Sequence, residues 1–543
     1  MRSRGEPAFF LSSLMDGVLL DPGESRRGER AMLLAAPAGM ALRAWAEAVT
    51  LDTPPRRRFP PLTGWCSWYQ LGSNVSEADV RRASAGFRDL DIPVDTIQID
   101  EGFERAVGDW EANDRFPGGM GRVAGDIAAA GVWPGLWLAP TMVHESVPLA
   151  NRRPDLFQRT PEGEPAVHFG TFLAWTRILD PTHPETLTLV KGMVRKAVRE
   201  WGYTYLKIDF TYLLSRAAVF HDPRQTIFQM HRALYQAIRE AAGDDVYIMA
   251  CVGEAARYTV GLVDATRIGG DQAPSWPSIR DSVAESIART STQGVWWHND
   301  PDVFYLREEH SALSLEESRF VATVTGMLGG LTLTSDFPDQ WDAPRLDILR
   351  RIVPPCPTGA RVVNRASPEL PSLYLSRHVS PAESWVTAAT LNPSDAPASV
   401  DVDLAALGLD PDAAYHAYEI WEDRYLGVVA GRFTTPEHPP HAARVWVLRL
   451  VRTGLHLIAS TFHISGGAVE LAALRYPPDG ALEADLSVVS RRGGALIVSH
   501  QSAPRLALVT GATGEIVRLH DGVWRLSLTA VGAERRILVR LEP

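Results

Sequence analysis

Residues 205–210 read Tyr205-Leu206-Lys207-Ile208-Asp209-Phe210, the pattern of a buried strand that ends in a carboxylate. Because side chains alternate between the two faces of a strand, Lys207 and Asp209 are predicted to point the same way. A nearby cation favours the charged form of a carboxyl group, so we expect Asp209 to be ionised. An ionised carboxylate at a strand end can attack an electrophilic carbon. This stretch alone fits an ordinary ion pair inside a barrel equally well.

Seven further apolar runs share this strand character, and most of them are separated by helical patterns. Eight such repeats over about 290 residues predict a parallel sheet closed into a (β/α)8 barrel. Helix starts are indicated where Ser76 is followed by Asp79 and where Ser314 is followed by Glu317, because each pair forms a capping pattern. In such barrels the C-terminal strand ends form the active face, so their polar residues should meet in one pocket.

The sequence predicts four parts in an α/β protein. Residues 1–58 are expected to form a short N-terminal β-rich segment and linker, and residues 59–353 the (β/α)8 TIM barrel. Short alternating runs and turn residues predict a C-terminal antiparallel β-domain over residues 354–450 and an additional β-rich domain over residues 451–543.

Composition describes an ordinary globular protein, with 45% hydrophobic and 22% charged residues. A net charge of -11 argues against nucleic acid or an anionic membrane surface as a partner. Three widely spaced cysteines, Cys66, Cys251 and Cys356, fit a reducing compartment and neither a disulfide framework nor a zinc site. With no signal-peptide pattern and no apolar run long enough to span a membrane, the prediction is a cytoplasmic protein. A homo-oligomer is left open.

Two aspartates at predicted strand ends are candidates for a pair of catalytic acids. Asp209 is expected to be ionised, whereas Asp271 precedes apolar and aromatic residues that would raise its pKa and keep it protonated. A charged carboxylate facing a protonated one is what cleavage of a glycosidic bond requires. Taken alone, Asp271 is more often a loop or helix-capping residue.

Several other residues have the chemistry of sugar recognition. The adjacent carboxylates Asp100 and Glu101 can accept hydrogen bonds from neighbouring sugar hydroxyls, although a solvated turn is an equal alternative. Trp65 and Trp137 could stack on a sugar ring, and buried packing is at least as common for either of them.

Six motifs occur in order along residues 64–302 and carry a family resemblance: Gly64-Trp65-Cys66-Ser67-Trp68-Tyr69, Gln98-Ile99-Asp100-Glu101-Gly102-Phe103, Leu136-Trp137-Leu138-Ala139-Pro140, Leu206-Lys207-Ile208-Asp209-Phe210, Arg267-Ile268-Gly269-Gly270-Asp271 and Asn299-Asp300-Pro301-Asp302. Together they resemble the melibiase-like α-galactosidases of glycoside hydrolase family 36, in clan D. The resemblance implies hydrolysis of terminal α-D-galactosyl residues with retention of configuration, through a covalent glycosyl-enzyme, with no metal or organic cofactor.

The resemblance also implies roles for individual residues. Asp209 matches the nucleophile and Asp271 the acid/base. The positions that match residues binding the terminal galactose are Trp65, Asp100, Lys207, Cys251 and Arg267.

Two departures from the family pattern bear on specificity. Glu101 stands where the family usually has a second aspartate, and its extra methylene could crowd the C6 group of galactose. We therefore hypothesise a preference for a smaller unit such as a β-L-arabinopyranoside. Residues 252–254, Val-Gly-Glu, replace the usual small polar run after Cys251 and leave recognition of the C2 hydroxyl open.

Other function classes are weighed against this one. A transglycosylase would use the same covalent intermediate. A metal-dependent barrel with strand-end acids around Mg²⁺ is disfavoured, because Lys207 and Arg267 would repel the ion. A sugar-binding protein without activity is disfavoured because both candidate catalytic aspartates are present.

Overall fold

A nine-stranded parallel sheet forms the centre of the protein. The structure is a computed structural model that describes residues 12–13, 15–36, 38–169, 175–216, 219–251, 257–356, 358–363, 370, 372–489 and 493–543. The central strands are β1 (Thr63–Cys66), β2 (Thr96–Ile99), β3 (Trp133–Leu138), β4 (Tyr205–Asp209), β5 (Tyr247–Cys251), β6 (Ala265–Arg267), β7 (His298–Asp300), β8 (Val303–Phe304) and β9 (Thr332–Thr334).

The sheet closes into a barrel through a split strand. Its spatial order is β7-β6-β5-β4-β3-β2-β1-β9-β8, and only Pro301 and Asp302 separate the two strands at its ends. Because β7 pairs with β6 while β8 pairs with β9, one interrupted segment joins both edges. The predicted fold class, an α/β TIM barrel followed by antiparallel sheets, is therefore confirmed.

Eight helices of ten or more residues lie in the described ranges. They are α1 (Ala38–Asp52), α2 (Glu77–Asp89), α3 (Met120–Ala129), α4 (Pro184–Arg195), α5 (Ile227–Ala242), α6 (Trp276–Ala288), α7 (Leu315–Leu328) and α8 (Ala343–Ile352). The capping boxes predicted at Ser76 and Ser314 are both formed. Shorter helical segments are Trp68–Leu71, Gly72–Asn74, Pro148–Arg152, Pro154–Leu156, Lys196–Glu200, Thr211–Arg216, Arg257–Thr259 and Pro338–Gln340. None of the helices in the described part of the chain has the length and apolar character needed to cross a membrane.

The prediction of a β-rich N-terminal segment was wrong. The described part of residues 12–62 contains no strand and instead holds α1. Five of the fifteen residues of α1 are alanine, the residue with the highest helix propensity, and this signal outweighs the short apolar runs before it. The helix packs beside the start of β7, where the rings of Trp45 and Trp296 lie 4.9 Å apart and Trp296 Nε1 donates to the Ala46 carbonyl at 2.7 Å.

Two small antiparallel sheets, not predicted from the sequence, rise from the C-terminal ends of β2 and β3. One is a hairpin of Glu104–Ala106 and Asp109–Ala112, and the other joins Met142–His144, Val167–Phe169 and Trp175–Ile178. Their strands are only three or four residues long, too short to leave a clear period-two pattern.

Aromatic rings fill the other end of the barrel interior. Tyr205 and Tyr247 stack with centroids 5.5 Å apart, and Phe59 lies 5.4 Å from Trp133 and 5.6 Å from Tyr247. Trp133, Tyr205 and Tyr247 are the first residues of β3, β4 and β5. These four residues, which we call the aromatic floor, close the barrel below its polar end.

Antiparallel sheets follow the barrel. A six-stranded sheet is formed by Arg361–Val362, Leu373–Val379, Ser384–Asn392, Ala442–Leu450, Tyr415–Glu419 and Arg424–Val429, and a small pair by Asp401–Asp403 and Arg432–Thr434. Two four-stranded sheets come next. The first holds His456–Ser460, Gly493–Ser499, Val523–Ala530 and Ala512–His520, and the second Leu471–Arg475, Leu482–Ser487, Arg536–Glu542 and Arg505–Thr510.

The last two sheets share one apolar core and also contact the barrel. Residues such as Leu457 and Leu526 of the first sheet pack with Leu482 and Leu541 of the second. The Ile464 N–H donates to the Arg351 carbonyl at the end of α8 at 2.9 Å. The division of the chain at residues 354 and 451 stays a prediction, which these changes of sheet support.

Candidate active site

A buried ion pair crosses the barrel interior near the C-terminal strand ends. Lys207 Nζ lies 2.9 Å from Asp100 Oδ2, and the two side chains are 3% and 4% exposed. Gln98 Nε2 donates to the same oxygen at 2.6 Å, and the Asp100 N–H donates to Ser67 Oγ at 2.9 Å. The direct partner of Lys207 is therefore Asp100, the residue directly after β2, rather than Asp209 on its own strand as the sequence had indicated.

Arg267 is the second buried cation of the site, at the end of β6. Its guanidinium contacts Asp300 Oδ2 at 3.0 Å, Asp302 Oδ1 at 2.8 Å and Asp271 Oδ1 at 3.1 Å. Asp302 occupies the break between β7 and β8 with φ +77°, a left-handed conformation that is costly for a residue with a side chain. Burial raises the pKa of Asp302 to about 6, although Arg267 opposes this rise.

Asp209 is held by two donors at the end of β4. Trp137 Nε1 donates to Oδ2 at 2.9 Å, and the Phe210 N–H donates to Oδ1 at 2.7 Å. Phe210 itself has φ +55°, so a strained turn aims this N–H at the carboxylate. Burial raises the pKa of Asp209 above its usual value, and the charge of Lys207 and the Trp137 hydrogen bond offset only part of the rise. The expected low pKa was wrong, because desolvation outweighs a cation that is already paired with Asp100.

Asp271 departs from its expected pKa in the opposite direction. Partial burial acts to raise the pKa, but the charges of Arg267 and Lys207 and a hydrogen bond from Tyr69 lower it below its usual value. Tyr69 Oη donates to Asp271 Oδ1 at 2.8 Å, while the side chain stays 67% exposed. The apolar residues after Asp271 therefore do not set its pKa. Its pKa is lowered mainly by other neighbours, including the donors Arg267 from β6 and Tyr69 from the segment after β1.

Asp209 and Asp271 lie at the same end of the barrel, because β5 lies between β4 and β6 and Asp271 contacts Arg267 at the end of β6. Cys251 pairs in register with Asp209 across β4 and β5. Burial raises the pKa of the Cys251 thiol, and the charges of both Asp209 and Asp271 add to the rise. Lys207 acts on the pKa of both aspartates. The structure thus places Asp209, Asp271, Lys207 and Cys251 at the C-terminal end of the barrel, as the sequence had predicted.

A cavity of about 390 Å³ is lined by the two residues that donate to Asp209, although Asp209 and Asp271 themselves are not among its lining residues. These two residues are Trp137 and Phe210, and Glu101 and Glu104 line the cavity with them. Glu104, on the hairpin after β2, was not singled out from the sequence, and burial raises its pKa to about 7. The space is sufficient for a sugar ring.

Trp65 is not brought to this cavity. It is 0% exposed, and its indole nitrogen donates to the Ser335 carbonyl at 3.1 Å. Cys66, the next residue on β1, contacts Asp100 Oδ2 inside the barrel, so alternation turns Trp65 to the other face. Trp65 therefore packs in the core, and this corrects the stacking role considered for it.

Sequence analysis missed Tyr69 and Gln98 as members of the site. Both belong to the motifs quoted above, Tyr69 after β1 and Gln98 within β2, so position in a motif was the available signal. Residues 252–254, on which the C2 hydroxyl argument rests, lie outside the described residues. Across the described ranges, no three His, Cys, Asp or Glu side chains are grouped as ligands of a metal ion would be.

Comparisons with known proteins agree with this geometry. A family model described as Melibiase matches residues 99–284, the segment that holds Asp100, Asp209 and Asp271. An α-galactosidase from Thermus thermophilus, solved in complex with stachyose, is 31% identical over 59% of this chain and 69% of that chain, with a TM-score of 0.52.

Two more distant structures share the fold. α-Galactosidase I from Mortierella vinacea is 16% identical over 72% of this chain and 96% of its own, with a TM-score of 0.53. A β-L-arabinopyranosidase from Geobacillus stearothermophilus is 15% identical over 75% of this chain and 98% of its own, with a TM-score of 0.57. At such low identity these two similarities concern the fold alone.

Proposed function

Because this chain belongs to the melibiase family of glycoside hydrolases, we propose that it is an α-galactosidase that removes terminal α-D-galactosyl residues with retention of configuration. The observation that carries the proposal is the placement of Asp209 and Asp271 at the same end of the barrel, since Asp209 ends β4, β5 lies between β4 and β6, and Asp271 contacts Arg267 at the end of β6. Two carboxyl groups at one barrel end supply the nucleophile and the acid/base that a retaining glycosidase needs.

In the first step Asp209 attacks the anomeric carbon. The bond from that carbon to the leaving oxygen breaks while Asp271 gives this oxygen a proton, so that a neutral alcohol departs. Trp137 and the Phe210 N–H hold the Asp209 carboxylate in place, which limits the reorganisation needed for attack.

In the second step water replaces the enzyme at the anomeric carbon. Asp271, now a carboxylate, takes a proton from the water as its oxygen bonds to the carbon and the ester to Asp209 breaks. Both aspartates then have their starting charges, and two inversions give net retention. Among the remaining predicted residues, we assign Asp100, Glu101, Lys207 and Arg267 to recognition and orientation of the galactosyl hydroxyls.

A panel of nitrophenyl glycosides tests the proposed function. We expect kcat/KM for the α-D-galactoside to exceed that for the α-D-glucoside by at least about 10²-fold, because an axial and an equatorial C4 hydroxyl cannot share the same buried hydrogen-bond partners. The β-L-arabinopyranoside is the informative third member, since Glu101 lines the cavity. A higher kcat/KM for the arabinoside, reversed in Glu101→Asp, would replace the galactosidase assignment with that of an arabinopyranosidase.

The two pKa shifts predict an acidic optimum for substrates with poor leaving groups. The free enzyme must hold Asp209 charged, although its pKa is raised, and Asp271 protonated, although its pKa is lowered. This form is most populated between the two pKa values, and kcat/KM should fall about tenfold per pH unit above both. We expect bound substrate to cover the exposed side of Asp271 and to raise its pKa above that of Asp209, which moves the basic limb of kcat to higher pH.

Rates for an alkyl α-galactoside or a galactosyl oligosaccharide, measured across the pH range, check this prediction. The basic limb of kcat/KM should lie at lower pH than that of kcat, because the first reports the free enzyme and the second the complex. Coincident limbs would contradict the proposed rise in the Asp271 pKa on binding.

Three finer assignments follow from the sequence. The six ordered motifs support placement with the α-galactosidases of glycoside hydrolase family 36. Three free buried cysteines, Cys66, Cys251 and Cys356, support a cytoplasmic location, which cell fractionation can check. Size-exclusion chromatography with light scattering gives the oligomeric state, which the sequence left open.

A further inference from the structure

Tyr69, the last residue of the first motif, is a direct hydrogen-bond partner of Asp271. It lies in the short helix Trp68–Leu71 after β1, whereas Asp271 follows β6. Its hydroxyl donates to Asp271 Oδ1 at 2.8 Å. The hydrogen bond is the contact by which the β1 segment reaches the proposed acid/base.

The backbone and ring of Tyr69 are themselves held on several sides. Its N–H donates to Ser335 Oγ at 3.4 Å, and its carbonyl accepts from Arg307 Nη2 at 3.3 Å. The ring meets Tyr305 edge-on, with centroids 6.3 Å apart at 89°. The hydroxyl is therefore presented to Asp271 from a fixed position.

Both donors of Asp271 bind the same oxygen. Arg267 Nη1 lies 3.1 Å from Oδ1, the atom that also accepts from Tyr69. An oxygen that accepts two hydrogen bonds from an N–H and an O–H group is the carbonyl oxygen of a carboxylic acid, because a proton placed on it would face those donors. With Oδ1 occupied by both donors, Oδ2 is the oxygen that carries the proton.

Resting on the function proposed above, we propose that Tyr69 is a positioning residue which, with Arg267, fixes Oδ2 of Asp271 as the atom that gives the proton to the leaving oxygen. In the first step the Oδ2–H bond breaks and its proton goes to the oxygen that departs from the anomeric carbon. In the second step a proton of the attacking water returns to Oδ2. Tyr69 keeps its own proton throughout both steps.

The surroundings of Tyr69 favour this passive role. Burial, followed by the charge of Asp302, raises the pKa of Tyr69 well above its usual range, so the phenol stays a neutral donor. Loss of its hydroxyl removes one hydrogen bond and changes no charge. The other titratable or charged groups around Asp271 in the described residues remain as they are: Arg267, Lys207, Asp302, Cys251 and Glu285, whose carboxylate accepts from the Gly270 N–H.

The test is the pH dependence of Tyr69→Phe. Removing a donor from a carboxylate disfavours the charged form and raises the pKa of Asp271, so the acidic limb of kcat/KM, which the lower of the two pKa values sets, should move up by about one pH unit. Because Oδ2 is no longer fixed, the maximum of kcat for an alkyl α-galactoside should fall by roughly tenfold. Nitrophenyl α-galactoside, whose leaving group needs little protonation, should keep a nearly unchanged maximum.

Tyr203→Phe is the matched control, because it also removes a buried phenol hydroxyl, here one that donates to the Met120 carbonyl at 3.4 Å. It should leave both limbs and both maxima unchanged. If Tyr69→Phe folds with an unchanged melting temperature and its limb also stays in place, the positioning role is wrong. Asp271→Ala on the same two substrates separates this failure from that of the function: a loss that ignores the leaving group overturns the acid/base assignment itself.

Discussion

Asp209→Ala is expected to lose turnover by on the order of 10⁴-fold or more while still binding galactose. No other carboxylate can reach the anomeric carbon with the same support, because Trp137 Nε1 and the Phe210 N–H are both aimed at Asp209. Binding persists because Lys207 and Asp100 pair independently of Asp209. Steady-state rates with nitrophenyl α-galactoside and calorimetric titration with galactose measure the two properties.

Azide sharpens this experiment. In Asp209→Ala the small anion can occupy the space of the lost carboxylate and attack from the same side, so the product should be the β-galactosyl azide, with inverted configuration. Asp339→Ala is the control, because Asp339 is an exposed partner of Arg82, and it should retain full activity. Turnover by Asp209→Ala within tenfold of the parent enzyme would remove Asp209 from the nucleophile role.

Asp271→Ala is expected to separate substrates by their leaving groups. Cleavage of an alkyl α-galactoside should slow by about 10²–10⁴-fold, since general acid catalysis supplies that much. Dinitrophenyl α-galactoside leaves as a stable anion, so its cleavage should stay fast. Without a general base the glycosyl-enzyme then accumulates, and a burst of dinitrophenol should precede slow steady turnover.

Azide gives the opposite stereochemistry in this variant. It replaces water in the second step and needs no base, so turnover should recover and yield the α-galactosyl azide, with retained configuration. Asp281→Ala is the matched control, since Asp281 is exposed on α6 with only a 3.7 Å contact to Arg280. Equal losses for alkyl and dinitrophenyl substrates would contradict the proposed role of Asp271.

The barrel could be predicted because its signals are local. The Ser76 and Ser314 capping boxes and the apolar strand runs each depend on a few adjacent residues, and they form as expected. The break at Pro301 and Asp302 depends instead on how β7 and β8 pair with different neighbours. Helix α1 was not predicted, because the short apolar runs before it resemble strands and its alanines were given less weight than those runs.

The residues at the polar end of the barrel could be predicted, but their partners could not. Strand ends follow from the chain, which is why Asp209, Asp271, Lys207 and Arg267 were found. Which side chains meet across the barrel depends on the closure of the sheet. Lys207 therefore pairs with Asp100 rather than with Asp209, and Tyr69 reaches Asp271 from β1. Both pKa expectations failed for this reason.

The aromatic floor of Phe59, Trp133, Tyr205 and Tyr247 fills the barrel at the end opposite to Asp209. Substrates and products therefore enter and leave the barrel at its polar end. While the sugar is bonded to Asp209, the alcohol departs and water arrives through this polar end. Other saccharides in solution compete with water for reaction with the glycosyl-enzyme. At high saccharide concentration the enzyme should therefore transfer galactosyl units to some of these saccharides. The same chemistry hydrolyses them when the saccharide concentration is low.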